Sequence, residues 1–304
     1  MAGGRNTKMK VAAIGLGSMG YGMAQSLIRA GHDTYGYDIV PERMQSLVDE
    51  GGKSAELADI APDLDAAVLI VLNAAQTEAV LVGDEGILSK LKKGAVVMSC
   101  ATVAPDFARS MEAKCAEVGV HYVDAPISGG AIKAAQGQLS ILSSATPAAY
   151  AAAEALLDAT AETVFRLGDS AGAGSAMKAV NQMLAGIHIA AMGEAITFGM
   201  TQGVDPASFV EVISKCAGTS WMLENRAPHI VAGDYTPHSA INIWLKDLGI
   251  VLDIAKGAKF GAPITAAALQ QYLAAAGTGL GMEDDAAVAK VYARNAGITL
   301  PGMD

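Results

Sequence analysis

Lys178 stands in the segment SAMKAVNQML, among Ala, Met and Val side chains. A lysine in so apolar a helix is badly placed for full solvation. Half-buried, it is expected to carry a lowered pKa, which suits proton transfer near neutral pH. The plainer alternative is a lysine that lays its stem on apolar surface and lifts its ammonium into water. Asn181 follows at i+3 and Gln182 at i+4, on the same helix face.

A second chemical segment is Asp124-Ala-Pro-Ile-Ser-Gly-Gly130. Ser128 offers a hydroxyl. Gly129 and Gly130 can turn successive N–H groups toward one point, an arrangement that holds a carboxylate. A tight turn after a strand is the competing reading. Farther on, Lys246-Asp247 is either an ion pair on a solvated face or a lysine reaching toward a ligand, and the sequence favours the ion pair.

Near the start, Gly15-Leu16-Gly17-Ser18-Met19-Gly20 lies between a short apolar run and a helical stretch. Gly15 permits the tight turn, Gly17 a close backbone approach to a pyrophosphate, and Gly20 close packing of helix on strand. The helix N-terminus presents N–H groups and a positive dipole end to the phosphates. Asp38 ends the second strand pattern, TYGYD, at the distance where a carboxylate accepts from the adenosine ribose hydroxyls and repels a 2′-phosphate. The motif implies a dinucleotide, and Asp38 favours NAD over NADP. Arg43 lies nearby, either softening that preference or standing as a solvated helix residue, and the second is favoured. Leu72-Asn73 closes the third strand pattern and Thr102 follows the fourth, where a doubly wound sheet forms its ligand crevice. Thr102 is also placed to be a simple helix cap.

Strand and helix signals alternate through the first half to position these groups. Apolar runs occur at Lys10–Gly15, Asp33–Tyr37, Ala67–Leu72, Ala95–Ser99 and His121–Ala125, with shorter candidates at Ser140–Ser143 and Thr163–Arg166. Helical stretches between them imply a parallel sheet covered on both faces. The pattern changes near Gly168–Gly174, after which no strand is predicted. Helices are expected at about Ser175–Gln202, Pro206–Cys216, Ser239–Ala258, Pro263–Ala276 and Asp284–Ala296, with Pro206, Pro237 and Pro263 at helix starts. The fold class is α/β: a Rossmann dinucleotide-binding domain over 9–171, followed by an all-helical domain over 172–304.

The 304 residues are 52% hydrophobic and 17% charged, enough apolar content for a large core. The net charge of −10 disfavours nucleic acid and anionic membrane as partners, since both select a basic surface. Cys100, Cys115 and Cys216 form neither a disulfide framework nor a metal-site spacing, so no metal is expected and a reducing cytoplasm is. The apolar stretch Leu184–Met200 carries His188 and Glu194 and is short for a bilayer, so a buried helix is expected there.

Taken in order, GLGSMG, DAPISGG, GAGSAMKAVNQ and WLKDL make the chain resemble the β-hydroxyacid dehydrogenase family, which includes 3-hydroxyisobutyrate dehydrogenase and tartronate semialdehyde reductase. The likeness runs from Val11 to about Ala296. It implies a 6-phosphogluconate dehydrogenase-like fold and NAD-dependent oxidation of the secondary alcohol of a small anionic hydroxy acid. It makes Lys178 the general acid/base and Asn181 a substrate-orienting residue. It puts Ser128, Gly129 and Gly130 on the substrate carboxylate, and Thr102 and Lys246 near the cofactor. Residues 218–226 and 234–237 look most like the L-threonate dehydrogenase branch, with Trp221, Glu224, Asn225 and Arg226 either shaping a distal pocket or packing a helix. The resemblance also implies a homodimer or homotetramer. Two departures stand out: Gln182 replaces a second asparagine, and Ala101-Thr102 replaces a Ser-Thr pair.

Overall fold

The computed structural model describes residues 8–303, in two compact units that divide after Lys178. The first unit is built on a parallel sheet of β1 (Lys10–Ile14), β2 (Asp33–Tyr37), β3 (Ala66–Leu69), β4 (Val96–Ser99) and β5 (His121–Asp124), in the order β2-β1-β3-β4-β5. Parallel neighbours need crossovers, and α1 (Ser18–Arg29), α2 (Pro41–Asp49), α3 (Leu57–Ile60), α4 (Ala74–Val82) and α5 (Pro105–Glu117) lie along them. Strand residues alternate between two cores. Val11, Val68, Val96 and Met98 pack on one face, and Ala12, Leu69 and Val97 on the other. That is why these runs hold almost no polar residue. Strand order reverses between β1 and β3, the switch point where such sheets bind ligands beyond their C-terminal ends.

A smaller sheet follows: β6 (Ile127–Ser128) runs antiparallel to β7 (Leu139–Ser143), which runs parallel to β8 (Ala161–Arg166). It carries α6 (Gly130–Gln136) and α7 (Pro147–Thr160). Strand β6 is too short to leave a periodic signal in the sequence.

One strand boundary needs correction. The third strand stops at Leu69, not Leu72. Its neighbour β1 ends at Ile14, whose carbonyl takes the last ladder bond from Ile70 N at 2.8 Å, and the chain turns away at Gly15. Leu72 is therefore 54% exposed. Asn73 caps α4, its Oδ1 accepting from Gln76 N at 2.9 Å.

Helix α8 (Ala173–Thr201) spans the division, and the second unit adds α9 (Pro206–Ile213), α10 (Trp221–Ala232), α11 (Ile241–Gly257), α12 (Pro263–Ala275) and α13 (Ala289–Ala296). Among the described residues this unit has no strand, only one isolated bridge between Ala240 and Asp284. That bridge explains why Pro237 opens no helix. His238 and Ser239 form a bend leading into the bridged Ala240, with His238 N donating to Asp284 Oδ2 and Asp285 N to the Ser239 carbonyl. Helix α10 has Pro228 inside it and was not predicted. Its core joins Ile189, Ile196, Leu223, Ile230, Trp244, Leu248 and Tyr272. The stretch 184–200 is buried on one face only: Ile189, Met192 and Ile196 are buried, while Leu184 and Phe198 are exposed.

Candidate active site

Gly15 adopts φ +96°, and a Cβ there would sit 2.5 Å from the Ile70 carbonyl oxygen. A Cβ on Gly20 would lie 1.8 Å from the Gly15 oxygen, so only glycine lets α1 start this close to β1. Around Gly17 nothing lies within 4 Å of that position. The three glycines thus differ physically: one turns, one packs, and one leaves space in front of a helix N-terminus. Ser18 and Met19 form the first turn of α1, and Gly17 supplies no side-chain cap to its N–H groups. That opening fits a pyrophosphate.

Asp38 closes over the same turn. Its Oδ2 accepts from Leu16 N at 2.7 Å and its Oδ1 from Val40 N at 2.9 Å. Arg43 is an exposed residue of α2, and its guanidinium also lies 3.3 Å from Asp38 Oδ1, a carboxylate only 6% exposed.

Lys178 and the Ser128 loop also meet. Lys178 is buried, and its Nζ donates to the Ile127 carbonyl at 2.9 Å, one residue before Ser128. Gly129 and Gly130 have φ of +139° and +80°, both in the region that favours glycine. The space a Cβ would take at Gly130 is open, whereas at Gly129 it meets Leu139 and Lys133 at 3.2 Å. Helix α6, which begins at Gly130, is clamped to α1. A Cβ on Gly22 would be 2.5 Å from Ala135 N, and Ser26 Oγ donates to the Ala134 carbonyl at 2.9 Å.

Asp124, the first residue of its motif, has a structural role. Its Oδ2 accepts from Gly172 N at 2.9 Å and Ser175 N at 2.8 Å, and its Oδ1 from Ser175 Oγ at 2.7 Å. Ser144 Oγ donates to Oδ2 at 3.2 Å and accepts from Gly174 N at 2.9 Å. A buried carboxylate thus caps the start of α8, one turn before Lys178. Burial pushes the Asp124 carboxyl above its ordinary value, against the opposing pull of the bonds from Ser175, Gly172 and Ser144. The segment 124–128 therefore holds the lysine-bearing helix at its N-terminus and the lysine at its nitrogen.

In the second unit, Asn181 Nδ2 donates to Gln182 Oε1 at 2.9 Å, and Gln182 Nε2 donates to Asp247 Oδ2. Lys246 Nζ lies 2.8 Å from Asp247 Oδ1, a charge contact and not an aligned hydrogen bond. The Lys246–Asp247 pair exists, but on no solvated face: Asp247 is 2% exposed. Trp221 heads α10 and is 67% exposed. Arg226 is committed to the buried Asp285 at 2.6 Å, whose other oxygen accepts from Trp244 Nε1 at 2.9 Å, and so serves packing. Thr102 is half-buried in the turn between β4 and α5.

Comparison with known proteins places the chain in a family. Residues 10–168 match the NAD-binding domain of 6-phosphogluconate dehydrogenase, and residues 172–292 match the NAD-binding family of NADP-dependent 3-hydroxyisobutyrate dehydrogenase. The chain is 47% identical to an L-threonate dehydrogenase of Cupriavidus necator, over 96% of this chain and 98% of that one. It is 43% identical to an L-threonate dehydrogenase of Haemophilus influenzae, over 97% and 98%. A crystal structure of a 3-hydroxyisobutyrate dehydrogenase from Salmonella typhimurium superposes with a TM-score of 0.87 at 41% identity, covering 93% of this chain and all of the other. With both halves matched and the likeness running nearly end to end, the chain belongs to the β-hydroxyacid dehydrogenase family of NAD-dependent oxidoreductases.

Proposed function

We propose that this enzyme oxidises the C2 hydroxyl of L-threonate to the 2-oxo acid, with Lys178 as general base. The observation that carries the role of Lys178 is the bond from its Nζ to the Ile127 carbonyl, beside Ser128. A carbonyl only accepts, so one N–H hydrogen is committed there in either protonation state. Neutral Lys178 still has a lone pair to take the hydroxyl proton, and in the reverse direction the ammonium returns it. Ser128, Gly129 and Gly130 hold the substrate carboxylate, with the open side of Gly130 giving it room. Asn181 orients the substrate, and Lys246, Trp221 and Thr102 contribute on the family likeness. Gly15 to Gly20, with Asp38, hold the dinucleotide. When bound, NAD accepts the hydride that leaves the same carbon. Asp38 makes NAD the preferred form.

The substrate rests on the two L-threonate dehydrogenases above. The Salmonella structure, named a 3-hydroxyisobutyrate dehydrogenase, supports 3-hydroxyisobutyrate as the alternative substrate. An NAD-coupled panel of L-threonate, D-erythronate, 3-hydroxyisobutyrate, D-glycerate and serine separates them. Lys178→Ala is expected to lower kcat by about 10²–10⁴-fold, the usual worth of a positioned acid/base, with NAD affinity near normal. Unchanged turnover in that variant removes Lys178 from the chemistry. We further assign cofactor binding to 9–171, a helical substrate and assembly domain to 172–304, a cytoplasmic setting and a homo-oligomeric state.

A further inference from the structure

We propose that Gln182 is a positioning residue that, anchored on Asp247, fixes which end of the Asn181 amide faces the substrate. The inference rests on the reading that Asn181 orients the substrate. It starts from hydrogen-bond polarity. An ionised carboxylate can only accept. Asp247 is buried and held by Lys246 at 2.8 Å. Gln182, itself 8% exposed, must therefore turn its NH2 group toward Asp247 Oδ2, which points its carbonyl oxygen at Asn181. That carbonyl accepts only, so Asn181 must meet it with its own NH2, at 2.9 Å.

The direction of the whole chain is set at its charged end. Flipping the Asn181 amide would oppose two carbonyl oxygens, and flipping Gln182 as well would aim a carbonyl at the Asp247 carboxylate. Asn181 consequently presents its Oδ1 away from Gln182 as an acceptor. An acceptor is what a hydroxyl, or an ammonium that has just taken a proton, requires. Glutamine is long enough to bridge Asn181 and Asp247 in the same stretch. Gln182 thus works through Asn181 and needs no contact with the substrate itself.

The test is a double-mutant cycle on the full-length enzyme with NAD, using whichever acid of the panel the wild type turns over fastest. Gln182→Met keeps length and removes both polar atoms. Gln182→Glu keeps the acceptor for Asn181 but loses the donor to Asp247. Each is expected to lower kcat by about 10–100-fold, the usual cost of a misplaced reacting group, with NAD affinity unchanged. In an Asn181→Ala background, Gln182→Met should cost almost nothing more, because its target is gone. Full additivity of the two losses overturns the proposal, since a merely structural residue behaves that way. Wild-type kcat in Gln182→Glu overturns it too, and so does wild-type kcat in Asn181→Ala, which leaves nothing to position. Turnover lost in Lys178→Ala but kept in both Gln182 variants rejects this inference alone. Turnover kept in Lys178→Ala rejects the underlying mechanism.

Discussion

At the scale of single residues, the choice between NAD and NADP turns on Asp38 and its neighbour. Asp38 was legible from the sequence because its distance from the glycine turn is fixed by one strand–helix–strand unit. Arg43 was not. It follows Asp38 by five residues, outside the i+3 and i+4 spacing that marks pairs on one helix, because Asp38 lies in the loop before α2. Their contact at 3.3 Å places a guanidinium beside the carboxylate that should exclude a 2′-phosphate. Asp38→Asn removes the charge and frees the arginine. Its effect is expected on the ratio of kcat/KM for NAD and NADP, which cancels any general loss of fold. The ratio should fall by about 10–100-fold, since hydrogen bonds to charged groups are worth about 1.5–3 kcal/mol. A ratio unmoved by this substitution would place the determinant elsewhere.

At the scale of elements, the alternation of strands and helices was readable because a doubly covered sheet demands unbroken apolar runs. Where the reading failed, the cause lay in contacts between distant segments. The strand through Leu72 was cut short by the turn at Gly15, and the residues after Pro237 were drawn into a bend bonded to Asp284 and Asp285. Asp124 shows the same limit at the site, for its partners Gly172 and Ser175 are 48 and 51 residues away. Removing it with Asp124→Ala strands two buried N–H groups at the start of α8 and should cost about 2–4 kcal/mol. Asp124→Asn should be tolerated, because Ser175 Oγ can accept from the new amide. The pH dependence separates the two further. With its folded pKa raised by burial, the Asp124 carboxyl binds its proton more tightly folded than unfolded. Its contribution is therefore greatest at low pH and is lost as pH climbs from the ordinary 3.8 through the raised value. Asp124→Asn, a mimic of the protonated form, should gain on the wild type across that window in denaturant unfolding. A wild type that gains on the variant instead would mean the hydrogen bonds outweigh burial.

At the scale of the whole molecule, α8 poses a problem that one chain does not solve. Its buried side carries Ile189, Met192 and Ile196. The other side carries Val180, Leu184 and Phe198, which are 52%, 50% and 66% exposed. Between them Ile187 is half-buried, and Ala191 and Ala195 are exposed and small. These positions follow one another at steps of three and four, so they form a single apolar stripe. A helix apolar on both sides is normally covered on both. This helix is also long and apolar enough to cross a membrane by length and composition, with 39% of its most apolar window buried. The net charge of −10 argues against an anionic bilayer as the cover, and a second copy supplies a matching stripe without opposing charge. The protein is accordingly expected to sediment at two or four times 30.9 kDa. Leu184→Glu places a carboxylate in the stripe of every copy and should shift the main species toward 30.9 kDa with the helical content retained. A wild type that sediments as one chain would leave the stripe in water and refute the assembly.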